Sequence, residues 1–158
     1  MELLFQELTG GLPDRRRLAV IVIRLLAATL LGALVGLQRE RAGKPAGLRT
    51  HMLVCIGTSL IVLAGSGVGM STDGLSRVIQ GIVTGIGFVG AGSILKLSQE
   101  REIKGLTTAA GLFITAAIGV STGVGAIGLA IIGTTLAIIV LALERVEEAW
   151  HKDRKYRN

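Results

Sequence analysis

Five long apolar runs, separated by short polar and basic stretches, organise this chain: residues 18–37, 52–70, 78–97, 107–120 and 124–143. A helix needs about 20 mostly apolar residues to cross a bilayer, so each run reads as a membrane-spanning helix. The fourth is short and leads through Ser121-Thr122-Gly123, a tight turn, into the fifth. The runs are continuous, whereas a membrane β-barrel alternates apolar and polar residues in segments of about 10. They also lack the one-sided apolar stripe of helices in a soluble bundle. The pattern therefore predicts an all-α, polytopic membrane protein of about five transmembrane helices. Residues 1–17 are expected to form an N-terminal tail or short interfacial helix, with Leu3, Leu4, Phe5 and Leu8 on one face. Residues 18–143 form the transmembrane domain, and residues 144–158 a charged extension of the last helix. Glu2 and Glu7 come first and the basic run Arg15-Arg16-Arg17 later, an order opposite to that of a signal peptide.

Composition agrees. Of the 158 residues 50% are apolar and only 18% charged, and the mean hydropathy is +0.64; soluble domains carry about 25% charged residues. A net charge of +6 raises the question of nucleic acid, but aromatics make up 3% of the chain and leave little to stack on bases. The basic residues fall between the apolar runs and set orientation instead. Twelve of the 17 lysines and arginines lie in the first loop, the third loop and the tail, which places that side in the cytoplasm. The N-terminus is then outside and the C-terminus inside. The single cysteine, Cys55, lies in an apolar run and reads as a small buried hydrophobe.

Small residues let membrane helices approach closely. Gly32-x-x-x-Gly36, Gly81-x-x-x-Gly85 and Gly119-x-x-x-Gly123 have that spacing, and Gly81, Gly85, Gly87, Gly90 and Gly92 crowd the third span. These glycines read as helix-packing positions, with a broken third helix lining a polar cavity as the other reading. Gly85-x-Gly87-x-x-Gly90 matches a dinucleotide fingerprint but lies inside a span, where no strand-to-helix turn exists to hold a pyrophosphate. No nucleophile–base pair or metal-ligand spacing points to an enzyme.

Arg24 is the ionised residue inside a span; such charges are usually paired. It is expected to pair with Asp73, which shares the second loop with Arg77, or to snorkel to the outer surface. A second polar set gathers at the opposite membrane face. Gln38, Arg39 and Glu40 end the first span, Arg49, Thr50 and His51 open the second, and Thr107 and Thr108 open the fourth. Thr107 reads as a helix cap, and Glu40 as an ion-pair partner of the basic residues. The helix end beside Arg49 and His51 offers an alternative use, holding an anion. Glu40 and Asp73 are the candidate carboxylates for a hydrated Mg²⁺, which keeps most of its waters; no other cofactor is implied.

Five blocks, in order, resemble the MgtC/SapB family of bacterial inner-membrane proteins: the stretch from Leu31 to Arg41, Ala46-Gly47-Leu48-Arg49-Thr50-His51, Gly85-Ile86-Gly87-Phe88-Val89-Gly90-Ala91-Gly92 with Asp73 and Arg77 ahead of it, Gly105-Leu106-Thr107-Thr108-Ala109-Ala110, and Ala116-Ala117-Ile118-Gly119-Val120. The resemblance covers residues 24–143. It implies a protein of the bacterial inner membrane linked to growth in low magnesium. It also implies the F-type ATP synthase as a partner for some members. Apart from the resemblance, the glycine faces and the small five-helix unit are expected to serve contact with another membrane complex or a homo-oligomer, with a dimer favoured. Two rival functions follow: a regulator working by helix contacts, and a homo-oligomeric transporter or channel for Mg²⁺ or another solute. Longer members carry a soluble C-terminal domain, which is not expected here, and Leu112-Phe113 stands where relatives often have Leu-Trp.

Overall fold

The computed structural model describes Met1, residues 14–97 and residues 102–156, with side chains outside 95–103 and 144–156. The expected N-terminal interfacial helix and the charges of the tail lie outside the described residues and side chains. Five helices follow in order: α1 (Arg15–Arg41), α2 (Leu48–Gly67), α3 (Thr72–Gly92), α4 (Leu106–Val124) and α5 (Ile127–Tyr156). The first four are each long and apolar enough to cross a membrane; the apolar part of α5, Ile127–Leu143, is shorter. This is the all-helical, multi-pass membrane fold that the apolar runs predict.

Two boundaries differ from expectation. The third span was expected to run to residue 97, but α3 starts early and stops at Gly92. Ser71 starts it, its hydroxyl accepting from the Gly74 N–H at 3.2 Å, with Asp73 in the first turn; both features favour a helix N-terminus. Residues Leu95–Leu97 instead pair antiparallel with Glu102–Lys104, Leu95 opposite Lys104, as a short hairpin (β1, β2) between α3 and α4. The apolar pattern of three residues could not distinguish a helix end from a strand. Gly105 then turns the chain into α4 at φ +99°, where a Cβ would collide with the Ser93 carbonyl. Second, Ser121, Thr122 and Gly123 do not form a turn. They stay helical, and α4 ends at Gly125, φ +90°. The Ala126 N–H bonds the Ser121 carbonyl at 2.8 Å and the Gly125 N–H the Thr122 carbonyl at 3.0 Å. This paired closure satisfies the last carbonyls of a helix and needs a left-handed residue, supplied by glycine.

α2 is the centre of the bundle, with α1 on one side and α4 on the other. α1 crosses α2 at glycines: a Cβ at Gly32 would sit 2.8 Å from the His51 carbonyl oxygen and 2.8 Å from Cys55 Cβ, and one at Gly36 2.7 Å from Leu48 Cα. On the other flank a Cβ at Gly119 would collide with the Cys55 carbonyl and the Thr58 hydroxyl, and one at Gly123 would lie 2.8 Å from Val62 Cβ. Bare backbone fills these positions, so Gly32, Gly36, Gly119 and Gly123 pack helices within one chain. α5 closes the bundle, with Ala130 buried in a cluster with Ala28, Val35, Cys55 and Ile118.

The third helix behaves otherwise. It is continuous rather than broken. Of its crowded glycines only Gly90 meets a neighbour, 3.5 Å from Ala109 Cβ; Gly81, Gly85, Gly87 and Gly92 would place a Cβ in open space. Within the chain, therefore, only Gly90 of these five serves as a helix-packing position. Between α2 and α3 lies an open apolar groove of about 420 Å³, lined by Gly57, Gly81 and Gly85 among others.

Overpacking of a close contact costs about 1–3 kcal/mol, whereas alanine in open helix favours the helix over glycine by roughly 1 kcal/mol. Gly36→Ala is therefore expected to lower the stability of the detergent-solubilised protein by about 1–3 kcal/mol, and Gly85→Ala to leave it unchanged or slightly higher. Denaturant unfolding monitored by helicity checks this; equal losses at the two positions would contradict the packing.

Candidate polar centre within the bundle

Helix α2 presents His51, Cys55 and Ser59 at four-residue intervals, all fully buried. α4 faces it with Thr108, Gly111, Thr115, Gly119 and Thr122, and α1 completes the interface with Ala28, Gly32, Val35, Gly36 and Arg39. Positions three and four apart share one face of a helix, so three faces of small and polar residues meet along the bundle axis. Most hydroxyls are satisfied by their own helix: Thr58 donates to the Val54 carbonyl at 2.9 Å, Thr115 to Gly111 at 2.7 Å and Thr122 to Gly119 at 2.8 Å. Such back-bonding lets a hydroxyl sit in an apolar interior without a partner on another helix.

An arginine stands at each end of this interface. Near the start of α1, the Arg24 guanidinium donates to the Gly123 carbonyl at 2.8 Å and covers the α4–α5 turn at Gly125. It makes no ion pair with Asp73, which is exposed at the start of α3; the expected pair is corrected to a helix-end contact. The reason is the geometry of α4: the paired closure takes the Ser121 and Thr122 carbonyls, and the Gly123 carbonyl, which carries the partial negative charge of a helix end, is within reach of Arg24.

At the other end Arg39 is 1% exposed and donates to the Thr108 hydroxyl at 3.3 Å. His51, buried beside it, bonds the Gly47 carbonyl through Nδ1 at 3.0 Å. That contact places the proton on Nδ1 and leaves Nε2 as an acceptor. Nε2 has no partner among the described residues and faces Gly111, where a Cβ would lie 3.5 Å away. The side-chain amide of Gln38 has no partner among the described residues, and neither does the Ser59 hydroxyl two turns further along α2. An unsatisfied buried polar group costs about 1–3 kcal/mol.

The remaining expected residues divide. Glu40 is exposed and accepts the Leu48 N–H through Oε2 at 2.8 Å, so it caps α2 rather than pairing with the basic residues. Gly47 permits this, since a Cβ there would lie 2.9 Å from that same oxygen. Thr107 does not cap α4: the helix starts at Gly105 with no side-chain cap, and Thr107 is exposed. Arg49 is exposed and Thr50 half-buried, and with Glu40 and Lys44 they line an open polar depression. Asp73 and Arg77 lie on the exposed side of α3, away from Glu40. Among the described residues no three of His, Cys, Asp and Glu gather as a metal site. Sequence reasoning brought Arg39, His51 and Thr108 to one membrane face but missed Ser59, Thr115 and Thr122; their spacing relative to His51 and Thr108 is the signal that would have found them.

The sequence profile of the MgtC family matches residues 25–150, most of the chain and all of this interface except Arg24. The chain belongs to the MgtC family. It is 42% identical to Protein SrpB of Synechococcus elongatus over 80% of this chain and 77% of that protein. It is 42% identical to the Putative magnesium transporter YhiD of Escherichia coli over 78% of this chain and 60% of that protein. It is 39% identical to Protein MgtC of Salmonella typhimurium over 84% of this chain. The match spans only 55% of that MgtC protein, so what the longer relatives do as whole proteins is not carried over with the family. No solved structure matches.

If Arg24 serves the α4 end, Arg24→Leu should destabilise the protein by about 1–3 kcal/mol and Asp73→Asn should leave the fold unaffected. The double variant should be additive, while Arg39→Leu and Thr108→Val should be non-additive because each removes the same contact. A double-mutant cycle on unfolding free energy decides; coupling between positions 24 and 73 would restore the original pair.

Proposed function

We propose that this protein is a regulator in the bacterial inner membrane, linked to magnesium homeostasis, and that it acts by contact with other membrane proteins. The observation that carries this reading is the closure of the bundle around α2. Among the described residues α1 and α4 approach α2 closely at Gly32, Gly36, Gly119 and Gly123, so these faces pack against one another instead of opening between them. Family membership and the magnesium-related name of YhiD support the link to magnesium. The excess of lysine and arginine in the first loop, third loop and tail supports a cytoplasmic C-terminus. A rotary ATP synthase is a candidate partner through the family resemblance, and Mg²⁺ a candidate ligand near Glu40 or Asp73.

A second reading, conduction of Mg²⁺ or another solute by a homo-oligomer, is favoured by one feature. α3 exposes Gln80 and Thr84 at membrane depth, where a path between copies would need polar groups. Mg²⁺ flux into proteoliposomes separates the two. The regulator predicts flux equal to that of empty vesicles for protein verified as folded, together with restored growth in low magnesium when the gene is returned to a deletion strain. Flux above background that Gln80→Leu abolishes would overturn it in favour of conduction.

A further inference from the structure

α3 is amphipathic in the sense opposite to that expected of a membrane helix. Its buried side is apolar: Ile82 and Ile86 are buried, with Leu75 and Val78 packed against the same core. Its outer side carries Asp73, Arg77, Gln80 and Thr84, all exposed, followed by Gly87 and Ala91. At 3.6 residues per turn these six positions fall within about 40° of one line along the helix, opposite the buried stripe. Gln80 lies eight residues into α3, roughly 12 Å from its start, and so faces hydrocarbon if lipid covers this side. Among the described residues, the side chains of Asp73, Arg77 and Gln80 make no hydrogen bond or ion pair. An unpartnered amide in an apolar medium is costly, and lipid tails cannot satisfy it.

We infer that the outer edge of α3 is the contact surface for a second copy of this chain. Copies inserted in one orientation bring their α3 helices together in parallel about a two-fold axis, and a two-fold contact must be self-complementary. This edge meets that condition. The glutamine amide both donates and accepts, so Gln80 of each copy pairs with Gln80 of the other. Asp73 and Arg77 are one turn apart with opposite charge, so Asp73 of one copy reaches Arg77 of the other, twice. Below Thr84 the edge narrows to Gly87 and Ala91, which lets the backbones approach. This dimer is a different surface from the Gly32 and Gly36 face, which α2 already occupies.

The test uses the full chain in membranes, in a Cys55→Ala background. Gln80→Cys and Thr84→Cys should each form a disulfide-linked dimer under a membrane-permeant oxidant. Leu30→Cys on α1 and Leu136→Cys on α5, both lipid-exposed at 65% and 58%, should not. In detergent, Gln80→Leu should raise the dimer dissociation constant about tenfold with helicity unchanged. Asp73→Arg should weaken the dimer, and adding Arg77→Asp should restore it, because both copies then carry the exchanged pair. Cross-linking no stronger at 80 and 84 than at 30 and 136, cross-linking to a protein of another mass, or failure of the charge exchange to restore association would each overturn the proposal.

Discussion

The close approach of backbone to backbone around α2 is the constraint on which this fold depends. Membrane helices gain nothing from hiding apolar side chains from lipid, so they associate through close contact and hydrogen bonds. Here α1 and α4 reach α2 at Gly32, Gly36, Gly119 and Gly123, where a single methyl would meet a carbonyl or a Cα. Once those contacts exist, the three helices are fixed in register. Cys55 is then sealed between Gly32 and Gly119, and His51 is turned toward Gly111.

The same register determines what happens to polar groups. Most hydroxyls on the buried faces fold back onto their own helices, so the interior needs few cross-helix bonds. The two arginines work at the ends, where helix backbone is unsatisfied or a hydroxyl is within reach. Arg24 completes the end of α4, and Arg39 meets the first turn of α4 at Thr108. One helix is therefore held at both ends by cations from its antiparallel neighbour. Among the described residues the Nε2 of His51, the Gln38 amide and the Ser59 hydroxyl remain buried without partners. α3 sits outside this arrangement and touches it mainly through one apolar stripe, which leaves its polar edge to other contacts.

Much of the candidate site was legible in the chain. Arg39, His51 and Thr108 lie at the ends of the first, second and fourth spans, and an up-and-down bundle must bring these ends to one face; the structure places them together. Partner choice was not legible. Glu40 reads as a counter-ion because basic residues surround it in sequence, yet in space it accepts the Leu48 N–H at the start of α2. Asp73 reads as the partner of Arg24 because both belong to one side of the membrane, but sidedness gives only depth, and α3 turns Asp73 outward.

By itself the sequence determined the helical, membrane-spanning class, the order of its spans and the family, because these depend on local composition: continuous apolar length, the position of basic residues, and short blocks of glycine with polar flanks. Only the tertiary structure decided which glycines pack. Gly32-x-x-x-Gly36 and Gly81-x-x-x-Gly85 have the same spacing, yet one meets α2 and the other meets open space. A spacing states that a helix has a smooth face; whether another helix lies against that face depends on how all the helices rotate to satisfy their contacts at once, which no local segment encodes.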